Sequence, residues 1–517
     1  MAEQKHDLKK GVPLHDEQHH PEGLPRKPQD ITLAEPREKL DIKRITLIAV
    51  GLLLFTAVYM SPSWGDAVDP VGDTFALSRE GKAAIGLFLL AATWWVFEVV
   101  PIGVTSIAIG VFQAMFLIRD PRVAFTDFFD PSVWFIFGSL VIGKVFSKTG
   151  LTQRMAYRML VIVGEKTALI LLGVFLMTSA MTLIMAHTAV AAAMYPLLRA
   201  IYSMYSTSST PTKFGKGMFI GMAFVAGAGS IITLLGAARG AVGIGFFKDI
   251  VGREISFFEY SYYMFPVGII MTFLLWVYIM FIFRPEKARI PGLRSRAKDL
   301  YHRLGPMKRS EWIAIILVVG VIMFLSARSF VPLLEPFSKS AIILITTILF
   351  FMFKILNLKD LEEIPWNIIL LFGGAMSIGF CLWQTGAATW MAVQFIMLLQ
   401  NANWFVFVLG ITAFVLIMTN LIMNVAAIAI SLPVALVIAQ YLHVAPEVIF
   451  FGSLVAAGMP FLFLVGAAPN AIAYESNQFT SGEFFRAGIP ASVLLLIVVG
   501  LFVAFIWPMM GMPILLK

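Results

Sequence analysis

Apolar runs of about 16 to 20 residues, the length that crosses a hydrocarbon layer as a helix, begin near positions 45, 83, 102, 132, 217, 262, 311, 338, 366, 447 and 486. Between them lie two helical pairs, roughly 167 to 205 and 403 to 442. If each pair is a hairpin that returns to its own side, the chain makes about eleven spans, with the N-terminus inside and the C-terminus outside. No Asp, Glu, Lys or Arg lies between Lys166 and Arg199, or from Ile364 to Pro446, so neither turn carries the charge expected of a water-facing loop. Backbone broken at membrane depth is tolerated only against protein or a water-filled cavity. The pattern therefore predicts two re-entrant hairpins in an all-α membrane protein.

The punctuation within these runs occurs twice. Gly138, Gly143 and Thr149-Gly150 recur as Gly374, Gly379 and Thr385-Gly386. Met181 to Thr188, followed by Pro196, recurs as Met418 to Val425, followed by Pro433. Gly236-Ala-Ala-Arg239-Gly240 is echoed by Gly466-Ala-Ala-Pro469-Asn470. Two copies of one unit, each with a polar break inside apolar sequence, are the arrangement of a secondary transporter whose site lies at the repeat interface.

Composition and charge sharpen this picture. A chain that is 59% hydrophobic and 14% charged has too little polar surface to face water all round. Its net charge of +8 comes from basic residues in short loops beside apolar runs, which act as topology signals and not as a nucleic-acid surface. Loops assigned inside hold Lys43 and Arg44, Lys148, Arg154 and Arg158, Lys213 and Lys216, and a basic linker between Arg284 and Arg309. The first Thr-Gly then falls inside and the second outside, so the copies are inverted. The expected organisation is a polar, disordered cytoplasmic tail (1–43), a first span and repeat (44–283, hairpin about 167–205, broken helix about 217–247), the linker (284–310) and an inverted repeat (311–517, hairpin about 403–442, broken helix about 447–475). Cys381 is the only cysteine, which excludes an intrachain disulfide, and the sequence has no nucleophile-base or metal motif of an enzyme.

Candidate chemistry sits at the breaks, where helix N-termini and free N–H groups offer partial positive charge to an anion. The expected substrate contacts are His187, Thr188, Gly236 and Arg239 in the first repeat and Asn424, Pro469 and Asn470 in the second. Hard oxygen ligands for sodium ions are expected from Gly229, Ser230 and Thr233, and from Gly466 and Asn424. His187 is the single histidine deep in apolar sequence, and Arg239 the only charge between Lys216 and Lys248. An intramembrane charge is a functional candidate by default, and a guanidinium can hold a carboxylate through two hydrogen bonds. The competing expectations are a histidine satisfied by a backbone group and an arginine that reaches out to Asp249. Glu98 reads as a structural cap, and Glu259 and Glu483 as partners of helix dipoles.

Trp94 to Pro101, Asp130-Pro131-Ser132-Val133-Trp134, Thr149-Gly150-Leu151 with Arg154, Pro365-Trp366 with Phe372-Gly373-Gly374, and Gly466 to Asn470 together resemble the divalent anion/sodium symporter family of the ion transporter superfamily. The resemblance implies two opposed hairpins, a scaffold domain that forms a homodimer, a transport domain that moves as an elevator, and dianionic substrates such as C4-dicarboxylates, citrate or sulfate. It also implies a multi-pass protein of the cell (inner) membrane whose partners are a small anion and the bilayer. Hairpin tips in that family read Ser-Asn-Thr, whereas here they read Ala186-His187-Thr188 and Met423-Asn424-Val425. Coupling to sodium, coupling to protons and anion exchange therefore stand as alternatives. A cation/proton antiporter would need carboxylate pairs deep in the spans, and none is present.

Overall fold

The computed structural model describes residues 42–68, 74–97, 99–206, 210–399, 403–421 and 423–516. Residues 1–41 of the expected tail, and Glu98, lie outside the described residues. The helices run in chain order as α1 (Ile42–Met60), α2 (Arg79–Val96), α3 (Ile102–Met115), α4 (Pro121–Thr126), α5 (Pro131–Thr149), α6 (Leu151–Val163), α7 (Thr167–Thr182), α8 (His187–Tyr205), α9 (Lys213–Gly229), α10 (Ala238–Val251), α11 (Phe257–Ile282), α12 (Leu293–Arg303), α13 (Arg309–Ala327), α14 (Lys339–Met352), α15 (Leu358–Glu362), α16 (Trp366–Gln384), α17 (Ala387–Leu399), α18 (Trp404–Leu421), α19 (Asn424–Tyr441), α20 (Pro446–Ala457), α21 (Ala468–Tyr474) and α22 (Ser481–Leu501, continuing to Met509).

Helices α2 to α11 and α13 to α22 follow one another in the same order, with α12 between them. Local chemistry repeats with the helices. Gly150 at φ 85° and Gly386 at φ 73° turn the chain between α5 and α6 and between α16 and α17, in a left-handed conformation that favours glycine. Ser256 with Glu259 and Thr480 with Glu483 form capping boxes at the starts of α11 and α22, which gives both glutamates the helix-start role expected of them. Packing is reciprocal across the two sets: α3 lies on α16 as α14 lies on α5, and α10 lies on α19 as α21 lies on α8.

Among the described residues, seven helices are long and apolar enough to cross a membrane by themselves, fewer than the eleven spans expected. The difference has a structural reason. Helices α9 and α20 stop at Gly229 and Ala457 inside apolar sequence, α3 and α14 have only 14 residues each, and α2 opens with Arg79, Glu80 and Lys82, while the seven include α18 of the second expected hairpin. Sequence periodicity also failed to separate α6 and α17 from their neighbours, or to see α12 inside the basic linker, because each is short.

The outer surface is apolar where a soluble protein would be polar. Along α11, Phe258, Tyr262, Phe265, Ile269, Phe273, Val277 and Phe281 are exposed at spacings of three or four, and α22 presents Phe485, Ile489, Val493, Ile497, Leu501 and Phe505 in the same way. Such a stripe faces lipid. Inside, hydroxyls of Thr178, Thr412 and Ser431 donate to carbonyls four residues back in their own helices, which satisfies them without a partner helix.

A buried arginine is one of the points that fasten the linker. Arg154 on α6 donates through Nε to Glu311 of α13 at 2.7 Å, through Nη1 to the Gly305 carbonyl at 2.9 Å, and through Nη2 to the Pro306 carbonyl at 3.3 Å. Every guanidinium nitrogen is used. The tie joins the first repeat to the start of the second.

Close helix packing at glycine sets the first test. A Cβ on Gly488 of α22 would lie 1.9 Å from the Phe461 carbonyl oxygen, whereas one on Gly500 would meet nothing nearer than 3.6 Å. Gly488→Ala should destabilise the purified protein by about 1–3 kcal/mol through overpacking, while Gly500→Ala leaves the thermal unfolding midpoint in place. Equal midpoints for the two variants would contradict the packing described.

Candidate functional site

Two helical pairs turn inside the fold. Helix α7 ends at Thr182 and α8 begins at His187, with Ala186 as an extended N-cap at φ −57°, ψ 136°. Helix α18 ends at Leu421 and α19 begins at Asn424, with Met423 as N-cap at φ −58°, ψ 143°. Beside each pair runs an interrupted helix. Helices α10 and α21 restart after Ala237 (φ −162°, ψ 146°) and Ala467 (φ −154°, ψ 147°), nearly the same backbone geometry in both. None of these four helix starts has a side-chain cap.

All four starts meet at one cavity. Its wall includes Ala186, His187 and Thr188 at the first tip, Met423, Asn424 and Val425 at the second, and Ala237-Ala238 and Ala467-Ala468 at the two restarts. Ile136, Ser139 and Leu140 of α5, Ile368 and Phe372 of α16, and Leu234 close it. The cavity volume is ≈ 60 Å³, enough for a few water molecules and tight for a dicarboxylate.

Backbone at each break is tied to the neighbouring hairpin. In the first repeat Thr233 Oγ1 donates to the Leu183 carbonyl at 2.8 Å, and the His187 N–H donates to the Gly236 carbonyl at 2.9 Å. In the second, Thr419 Oγ1 donates to the Ala457 carbonyl at 3.0 Å, and the Leu462 N–H donates to Asn420 Oδ1 at 2.7 Å. Glycine is required where backbones touch: a Cβ on Gly229 would lie 2.4 Å from Thr182 Oγ1, and one on Gly466 2.8 Å from the Thr419 carbonyl oxygen.

The expected site residues divide into two groups. His187, Thr188 and Asn424 are on the cavity wall. His187 Nδ1 also lies 3.2 Å from the Gly236 carbonyl oxygen, which can only accept, so Nδ1 carries the proton and Nε2 is left for another partner. The histidine is thus both backbone-tied and cavity-facing. The Thr188 hydroxyl and Asn424 amide face the same space, and neither is hydrogen-bonded within the described residues.

Gly236, Arg239, Pro469 and Asn470 stand behind the wall. Gly236 acts through its carbonyl on His187. Asn470 donates to the Pro460 and Phe463 carbonyls at 2.8 and 3.1 Å, so its amide closes the second break and is not free to hold a carboxylate. Pro469 is buried in the first turn of α21, where its missing N–H costs nothing. Arg239 is 1% exposed and donates from Nη2 to Ser230 Oγ at 2.8 Å. It neither reaches outward to Asp249 nor lines the cavity. The Ser230 hydroxyl in turn donates to the Gly227 carbonyl at 2.7 Å, and with a guanidinium on its lone pair it is a poor ligand for a second cation.

A larger cavity of ≈ 400 Å³ adjoins the first, and Leu234 is on the wall of both. Its lining mixes Lys248, Arg328 and Lys339 with Asp130, Asp249 and Glu254. Lys339 and Arg328 pair with Glu254 at 2.9 and 3.6 Å, and against the desolvation of burial they hold its carboxyl below the usual range. Sequence reading did not find this chamber, because its six charges come from four separate segments.

The chain matches the model of the sodium:sulfate symporter transmembrane region over residues 70–513. It is 24% identical over 453 residues to the sodium-dependent dicarboxylate transporter SdcS of Staphylococcus saprophyticus, covering 84% of this chain and 87% of that protein, and equally identical to SdcS of Staphylococcus aureus. Among solved structures, Neisseria gonorrhoeae MtrF has a TM-score of 0.55 at 13% identity, covering 89% of this chain and 93% of that one. Alcanivorax borkumensis YdaH has a TM-score of 0.55 at 13% identity, covering 90% and 98%. At that identity the two structures speak for the fold alone. The family match covers nearly all of the described helices, and the chain belongs to the sodium:sulfate symporter family of membrane transporters, not to a family of enzymes.

Proposed function

We propose that this protein is a secondary active transporter of small divalent or trivalent anions, with C4-dicarboxylates and citrate as the leading substrates and sulfate and sulfonates in the same class. The observation that carries the reading is the meeting of four uncapped helix N-termini at one cavity. The N-terminal end of a well-formed helix presents about half a positive elementary charge. Helices α8, α10 and α19, with the short α21 opposite them, together supply between about one and a half and two positive elementary charges, which matches a dianion without any side-chain cation at the wall. The relatives' names support dicarboxylate and sulfate as the class.

In this reading Thr188 and Asn424 bind the anion's oxygens, one from each repeat, and His187 adds a donor from Nε2 when protonated or an acceptor for a protonated carboxyl when neutral. The small cavity is one state of a site that widens to admit a carboxylate pair. The two sets of helices are inverted in the bilayer. Helices α7 to α11 and α18 to α22 form the moving body, and α1 to α5 with α13 to α17 form the scaffold on which two copies meet. Tips that end inside the membrane as re-entrant hairpins make an elevator motion the economical mechanism, because the site travels intact.

Two experiments test this. In proteoliposomes loaded with labelled succinate, citrate or sulfate outside, Asn424→Ala and Thr188→Ala should each raise the half-saturating anion concentration by about 10- to 100-fold, the worth of one hydrogen bond to a charged group. Exposed Asn477→Ala should leave it unchanged. Unchanged uptake in both tip variants would sink the site. For orientation, single cysteines in a Cys381→Ala background should react with an impermeant maleimide from outside at Glu335→Cys, and only after permeabilisation at Lys298→Cys. The opposite labelling would reverse the topology.

A further inference from the structure

Arg239 calls for an explanation that anion binding at the cavity does not supply. Its side chain is fully buried, its Nε and Nη1 have no hydrogen-bond partner, and none of the ion pairs among the described residues includes it. A structural arginine in the same protein, Arg154, looks quite different, with all three nitrogens engaged and a carboxylate beside it.

Its surroundings show what balances the charge. Nη2 reaches Ser230, the C-cap of α9, at 2.8 Å. The same nitrogen lies 2.7 Å from where a Cβ on Gly458, the C-cap of α20, would stand. A Cβ on Gly227 would in turn lie 2.7 Å from the Gly458 carbonyl oxygen. The guanidinium is therefore held where the C-terminal ends of the two interrupted helices meet, one from each repeat. Each such end carries about half a negative elementary charge, so together they offset about one guanidinium.

We propose that Arg239 is a built-in cation that occupies the place where a soluble coupling ion would otherwise neutralise these two helix ends, so that the protein holds its anion without sodium there. The proposal rests on the anion-transport reading and goes beyond it in assigning the source of the balancing charge. Two further features agree with it. The Ser230 hydroxyl and the Thr233 hydroxyl, which would ligate sodium, are engaged by Arg239 and Gly227 and by Leu183. At the second tip, Met423 and Val425 flank Asn424 and offer a hard cation no side-chain oxygen.

The test reads cation binding apart from transport. Thermal unfolding of the purified full-length protein is followed in sodium chloride and in choline chloride at equal ionic strength. Wild type and Arg239→Lys should unfold identically in the two salts. Arg239→Ala should become sodium-stabilised: at ten times the dissociation constant, binding to the folded form alone shifts the folding equilibrium about elevenfold. Sodium stabilisation of wild type would overturn the proposal, as would a folded Arg239→Ala protein that is indifferent to sodium. Should Arg239→Ala be recovered folded only when extracted in sodium chloride, the proposal stands; if it is recovered in neither salt, it falls. Failure of anion uptake with the unfolding results intact would remove the transport reading and leave the cation assignment in place.

Discussion

Everything in this fold depends on keeping interrupted backbone satisfied where water is scarce. An unpaired N–H or C=O in hydrocarbon costs several kcal/mol, so a helix can stop inside the membrane only if something else takes up its free ends. Here each interruption is sewn to the hairpin beside it, by Thr233 to Leu183 in one half and by Thr419 to Ala457 in the other. The glycines at 229, 236 and 466 let those strands of backbone approach closely enough to be sewn. The polarity of the ends then sorts itself: restarts and tips turn their positive ends to a common cavity, and the stopped helices turn their negative ends to each other behind it.

How much of this was legible in the sequence follows from what kind of information each feature needs. The doubled spacing of Thr149-Gly150 and Thr385-Gly386 is one-dimensional and shows directly, and so does the echo of Gly236-Ala-Ala in Gly466-Ala-Ala. The gathering of His187, Thr188 and Asn424 followed from treating equivalent positions as neighbours across the repeat. The same reasoning does not place Arg239 and Asn470, which are off the cavity wall. They occupy equivalent stretches and belong to the breaks, but the direction of a side chain at the start of a helix is not encoded in spacing. Both point away from the cavity into the seam behind it. The chamber lined by Lys248, Glu254, Arg328 and Lys339 was invisible because no local pattern links residues that far apart.

Family membership and site chemistry carry different weight. The match to the sodium:sulfate symporter model runs over residues 70–513, and it shows the family. It does not fix the residues on the tips. Methionine, valine and alanine are compatible with the backbone course there, because the N-caps Ala186 and Met423 make no side-chain cap hydrogen bond. What such side chains decide is how many oxygen atoms the tips present, and a fold whose turns do not depend on them leaves that number free to vary.

Leu234 is on the wall of both the charged chamber and the tip cavity, and it is 3% exposed. A residue placed on two walls couples them. In a close-packed interior a volume change of one methylene is felt by the neighbours, so any trimming of this side chain is registered by the charged lining and by the helix starts together.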